Sequence, residues 1–323
     1  MDLCINGSME NSTSHQSWMC HVTIRVVQGL LGSFAFIGNI FTLIVAMFTK
    51  EIRRKQSNYL ILNLAMTDAA IGAVCAILGI YGIKKSVGLN FIIESVLVCS
   101  SSIVIILIAS ERCFAIILPF KHRRYVTKKA LVTVICLDWC VILSIILTVY
   151  LQTDLGDAYI ILNLVSVSIL LCVSLLNALI YLAIILAVRQ NAIRIRNTGN
   201  VFQRSERKRN IKMIITFTLI AGILIACCIP YAVSFIIFYC LDYKKKTFSQ
   251  SELIEVIFII KLLTPLNSGI NTFVYWWRIT EFRTAYIRAI RGIFCCAKMT
   301  RVTTFNRVLT IRSILQLDHA GLQ

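Results

Sequence analysis

Asp68, Glu94, Glu111 and Arg112 each interrupt a run of side chains too apolar for a soluble helix. Ionisable groups at membrane depth are expensive, so they pair, reach water or serve a function. Glu111 and Arg112 adjoin at the end of the run Ser101-Ser-Ile-Val-Ile-Ile-Leu-Ile-Ala-Ser. Such an acid and base can form an ion pair. Pro119 stops the helix shortly after, and the basic loop Lys121-His-Arg-Arg-Tyr-Val-Thr-Lys-Lys follows. Glu94 stands eighteen residues before Arg112. That is about five turns, or about 27 Å, so the two occupy opposite ends of one helix. Asp138 precedes Trp139 in another apolar run, where it either hydrogen-bonds a neighbour or reaches water. The sequence holds no nucleophile–base constellation and no phosphate-cradling loop, so an enzyme reading has no support.

The elements that carry these residues follow from composition. The chain has 323 residues, 58% hydrophobic and 15% charged, with a mean hydropathy of +0.80. Soluble domains are about a quarter charged. About 20 mostly apolar residues cross a bilayer. Seven such runs are present, at roughly 24–48, 59–83, 89–118, 130–151, 158–188, 211–240 and 253–277. The expected fold is therefore an all-α membrane protein, a seven-helix bundle over 24–277. Residues 1–23 precede it, 278–296 form a short amphipathic surface helix, and 297–323 form a tail. Internal repeats or broken mid-membrane helices, as in a transporter or channel, are not evident.

The net charge of +18 could suggest nucleic acid, but its distribution argues otherwise. With the N-terminus outside, 26 of the 33 Lys and Arg fall on the inner side and 7 on the outer. This is a positive-inside pattern, and it fixes the orientation of a multi-pass chain with its N-terminus outside; the plasma membrane is the expected location. The basic inner loops suit an anionic inner leaflet of membrane lipids. The first 22 residues are polar and lack a signal-peptide core, so the first membrane helix is expected to act as the insertion signal. Asn6-Gly-Ser8 and Asn11-Ser-Thr13 are glycosylation acceptors on that side. Of thirteen cysteines, only Cys4, Cys20 and Cys240 are expected to face it, which allows at most one internal bridge.

Several motifs, in order, resemble the rhodopsin-like (class A) G protein-coupled receptors. Glu111-Arg112-Cys113 resembles their Asp/Glu-Arg-Tyr, with Cys for Tyr. Gly38-Asn39 and Leu62-Asn-Leu-Ala-Met-Thr-Asp68 resemble the first- and second-helix signatures, and Trp139 that of the fourth. Tyr181 matches the fifth-helix tyrosine that swings toward the Arg in the active state. Ala226-Cys-Cys228-Ile-Pro230 resembles Cys-Trp-x-Pro with Cys228 for Trp, and Pro230 should kink that helix. Asn271-Thr272-Phe-Val-Tyr275 resembles Asn-Pro-x-x-Tyr with Thr for Pro. Beyond it, apolar and basic residues alternate at helical spacing, as in a helix lying on the inner leaflet. Cys295-Cys296 ends that stretch as a palmitoylation candidate.

There are departures. The usual third-helix Cys is Val87, and the fifth-helix proline is Val173. Melanocortin, lysophospholipid and cannabinoid receptors lack one or both features too. The acid that locks the Arg in some receptors is Asn210 here, with Glu206 one turn away.

The resemblance implies a receptor passing the binding of an extracellular ligand to a heterotrimeric G protein, with arrestin and receptor kinase as further partners. It places Glu111, Arg112, Tyr181, Pro230, Asn271 and Tyr275 in coupling and activation. It places Asp68, Ser101, Asn267, Ser268 and Asn271 around a sodium ion, with no covalent cofactor. A hard cation takes one carboxylate and several neutral oxygens, and this set supplies them. Glu94 and Lys261 match facing pocket positions, with Tyr231 and Phe235 lining the same pocket. They either bridge the third and seventh helices or meet a charged group of the ligand, which is an amine, a peptide or a lipid. A light-sensing opsin would need its retinal lysine where Pro265 stands, and Lys261 is one turn away. A non-signalling membrane protein is the other alternative.

Overall fold

A segment apolar on all sides can enter lipid only with its backbone hydrogen bonds closed on themselves, which a helix does. The computed structural model describes residues 2–81, 87–151, 158–196, 215, 218–219, 222–223, 225–227, 229–230, 233, 259–260 and 262–292. In order they form α1 (Asp2–Phe48), α2 (Lys50–Arg54), α3 (Asn58–Tyr81), α4 (Val87–Ile117), α5 (Pro119–Tyr125), α6 (Lys128–Leu151), α7 (Ala158–Arg196) and α8 (Leu263–Arg278). A further helix, α9, covers 280–292. Among the described residues there is no strand.

Stretches long and apolar enough to cross a membrane are Val22–Phe48, Asn58–Tyr81, Ile92–Arg112, Lys128–Thr148 and Ser168–Leu186. They are the cores of the first five expected runs, and α8 is the seventh. Every described residue of the sixth run is helical. The first helix begins at Asp2 rather than near residue 24. None of the three prolines precedes Pro119, so nothing of that kind stops the helix in its polar part. Along a continuous helix Cys4 and Cys20 lie about 24 Å apart, too far to bridge each other. The interior of α7 holds Val173 and no proline, and α7 runs unbroken for 39 residues.

The helix α4 stands centrally, against α3, α6 and α7. The helix α3 also packs on α1, α6 and α8. Glycine sets the closest approach. A Cβ on Gly32 would lie 2.5 Å from the backbone N of Ala76 and 2.8 Å from the carbonyl O of Gly72. Small residues let helix backbones meet this way in membranes, where apolar burial gives no preference for a neighbouring helix over lipid. Leu137, Leu143 and Leu147 of α6 and Leu175 and Leu179 of α7 are exposed, as a lipid-facing surface must be.

At the Arg112 end, Leu118 leaves helical geometry and Pro119 opens α5, where its missing N–H is harmless. The helix α9 folds back onto α1 and α2. Its Phe282, Ala285 and Tyr286 are buried in the main apolar cluster, with Ile52 of α2. Tyr286 shares a 2.6 Å hydrogen bond with Thr42 and stacks on Phe41. Lys55 pairs with Glu281, and Arg288 lies 3.4 Å from Glu51. The backbone N–H of Glu51 and then Arg288 hold its exposed carboxyl below the usual range. Ile287 and Ile290 stay exposed.

Candidate functional site

Three polar layers lie along α4. The first is at its Arg112 end. Arg112 Nε is 3.0 Å from Glu111 Oε2. The other carboxylate oxygen accepts from Ser57 Oγ at 2.9 Å and meets His122 Nε2 at 2.8 Å. Glu111 is only 7% exposed. A carboxylate gripped by three groups from three segments is fixed in direction, and its pair with Arg112 is one of several ties. Tyr181 and Tyr275 are buried, and neither hydroxyl has a hydrogen-bond partner among the described residues.

The second layer lies mid-membrane. Asp68 is fully buried. It accepts from Asn271 Nδ2 at 2.8 Å and from Ser101 Oγ at 3.3 Å. Asn39 Nδ2 donates to the carbonyl of Ser268 at 3.1 Å, tying α1 to α8. Asn267, Ser268 and Asn271 are buried here as well. Asn267 Oδ1 and Asn271 Oδ1 have no hydrogen-bond partner among the described residues, and the Ser268 hydroxyl stands beside the Asp68 carboxyl. No described Lys, Arg or His pairs with Asp68. A carboxylate with no counter-charge among the described residues, next to neutral amide and hydroxyl oxygens, is a donor set that fits a hard cation.

The third layer is at the other end. Glu94 is buried on α4, and Cys75 Sγ of α3 approaches its carboxylate at 3.9 Å. The uninterrupted α4 keeps Glu94 and Arg112 about 27 Å apart. Ile229 and Pro230 are helical. Lys261, Tyr231 and Phe235 lie outside the described residues, as do Cys228, Asn210, Glu206, Cys240, Cys295 and Cys296. Asn6 and Asn11 lie on α1 before the membrane stretch.

Two groupings escape sequence reasoning. His122 lies on α5, beyond the break at Leu118 and Pro119, and the change of chain direction there brings its ring back to Glu111. The other grouping joins α3, α4 and α6. Asp138 accepts from Ser100 Oγ at 3.0 Å and from Asn63 Nδ2 at 3.2 Å. Trp139 Nε1 donates to Asn63 Oδ1 at 2.8 Å. Asp138 therefore has protein partners, the first of its two readings. Nothing local in the sequence brings Asn63 and Asp138 together.

Comparison with known proteins gives two matches. The model of the 7 transmembrane receptor (rhodopsin family) matches residues 38–275. The adenosine receptor A2b of Gallus gallus is 23% identical over 314 residues, an alignment covering 84% of this chain and 89% of that receptor.

Proposed function

Because the chain belongs to the rhodopsin family of seven-transmembrane receptors, and so binds an extracellular ligand and signals through G proteins, we propose that its three polar layers divide this task. The layer at Glu94 receives the ligand, with Lys261, Tyr231 and Phe235 completing the pocket. The layer at Arg112 meets the G protein, with Glu111, Tyr181 and Tyr275. The Asp68 layer couples the two, with Asn271 belonging to both functions and Pro230 bending the sixth helix. The N-terminus, with Asn6 and Asn11 glycosylated, faces outward. The Arg112 end faces the cytosol, where Cys295 and Cys296 are palmitoylated and receptor kinase and arrestin act.

The observation that carries this reading is the Asp68 layer. It lies between the two ends, and its hydrogen bonds join α3, α4 and α8. A ligand moves a receptor between states only through its differential affinity for them. A polar layer shared by several helices is where such a difference can be transmitted. Asp68, Ser101, Asn267, Ser268 and Asn271 would hold sodium, which supplies the positive charge that Asp68 lacks. G protein activation is then read in permeabilised cells at low and high sodium. Sodium lowers basal activation of the wild type about twofold or more, and Asp68→Asn is flat. A wild type without sodium response, or an Asp68→Asn variant that keeps it, would remove the cation from this reading.

The ligand end is tested with Glu94→Gln and Lys261→Met in the same assay, at equal surface expression. Truncating one partner of a desolvated pair costs about 3–5 kcal/mol. If the two residues form a bridge, both variants raise basal signal. If Glu94 instead meets a cationic ligand, only Glu94→Gln abolishes the response to it. The relative's name makes adenosine the first ligand to screen, beside amines, peptides and lipids.

A further inference from the structure

The short α2 gathers cations without matching acids. Ile52 is fully buried and anchors the helix, while Lys50, Arg53 and Arg54 around it are exposed. Gln56 and Tyr59 follow, and Lys128 opens α6. With Lys50, Arg53 and Arg54 they line a cleft of about 320 Å³, at the small end of the ~300–1,000 Å³ range of ligand sites. Lys128 Nζ rests 5.2 Å over the Tyr59 ring, which holds that charge at the rim. Lys50, Arg53, Arg54 and Lys128 pair with no carboxylate among the described residues. Glu51, the acid on α2, is turned to Arg288, and neighbouring Lys55 is taken by Glu281. The cleft thus carries four positive charges and no negative one.

Its depth says what kind of anion fits. Asn58 and Lys128 are the first residues of their membrane stretches. The cleft therefore opens where headgroups meet hydrocarbon. Past its rim the surfaces of α3 and α6 continue apolar and exposed, at Met66, seven residues on from Tyr59, and at Val132, four on from Lys128. A polyanionic head with acyl chains attached would satisfy both halves of this surface. Arg53 and Arg54 add guanidinium forks suited to phosphate oxygens.

We propose that this cleft binds the headgroup of an inner-leaflet lipid that carries more than one phosphate. This rests on the reading that the Arg112 end faces the cytosol. Basic residues near an anionic leaflet each contribute a factor of about five to binding. A single-charge headgroup engages one or two of them, and a polyphosphorylated one can engage all four.

The test uses the full chain in nanodiscs, which expose both leaflets, so its outcome does not depend on orientation. The probe is a fluorescent phosphatidylinositol 4,5-bisphosphate, titrated in phosphatidylcholine with or without charge-matched phosphatidylserine. The wild type binds saturably, and phosphatidylserine competes poorly. The triple variant Arg53→Gln, Arg54→Gln, Lys128→Gln weakens binding about a hundredfold. Removing the same charge from exposed Lys121, Arg124 and Lys129 changes it less than threefold. Thermal unfolding of each variant is measured alongside, and Arg54→Gln alone, with about a fivefold loss, replaces the triple if the latter unfolds. Equal losses in the two triple variants, or full competition by phosphatidylserine, would reduce the cleft to general surface charge. Soluble inositol trisphosphate competing as tightly as the lipid would overturn the lipid assignment.

Discussion

Gly32→Leu removes the receptor from the cell surface. The atoms in the way are backbone. The first carbon of any side chain at Gly32 would lie 2.5 Å from the N of Ala76 and 2.8 Å from the C of Cys75 and the O of Gly72. None of these can rotate aside, so α1 and α3 must part. The obstruction is mutual, since a Cβ on Gly72 would reach 2.5 Å from the N of Phe36. Parting also strains the bond from Asn39 to α8 and the packing of Phe41 on Tyr286. Overpacking a core by a few methylenes costs about 1–3 kcal/mol, and more when backbone must move. Total stability is only about 5–15 kcal/mol, so the folded fraction collapses. Surface density by flow cytometry on an N-terminal tag should fall below about a tenth of wild type. Gly292→Leu, where a Cβ meets nothing within 4 Å, should leave it unchanged. Wild-type density for Gly32→Leu would show that the two helices are not held at this distance.

Arg112→Ala leaves a receptor at the surface that no longer activates G protein. Its fold survives because Glu111 keeps Ser57 and His122 as partners. What disappears is the guanidinium at the base of α4, beside Tyr181. A G protein dissociation sensor should report at least a tenfold loss of basal and stimulated signal at matched density, equivalent to about 1.4 kcal/mol or more of coupling. Glu111→Gln acts in the other direction. It takes the charge from the Arg112 pair, loosens the hold of α4 on the guanidinium and raises basal signal. Undiminished signal from Arg112→Ala would place G protein coupling elsewhere on this face.

What the sequence could show depended on how far apart the interacting residues are. The runs that became α1, α3, α4, α6, α7 and α8 are legible because a bilayer demands about 20 apolar residues. The Asp68 layer is legible only through resemblance, since Ser101 and Asn271 lie 33 and 203 residues away. The amide oxygens of Asn267 and Asn271, without partners among the described residues, are visible only in three dimensions. Asp138 and Asn63, 75 residues apart, give no local sign of meeting. The contact of Gly32 with α3 likewise depends on rotation about two helix axes, which composition does not fix. His122 meets Glu111 only because the chain turns at Leu118 and Pro119, and the angle of that turn is not written in the residue spacing.

The attachment of α9 has a mechanical consequence. Tyr286 is bonded to Thr42, Glu281 to Lys55 and Arg288 to Glu51, so this helix is fastened to α1 and α2. The same α1 is locked to α3 by glycine and to α8 by Asn39. Together α1, α2, α3, α8 and α9 behave as a stator, braced at three heights. Displacement during signalling is then expected chiefly of the helices outside this frame. Substitutions at the joints of the frame, such as Gly32, should change how much receptor a cell displays, whereas substitutions in the polar layers should change how strongly each displayed copy responds.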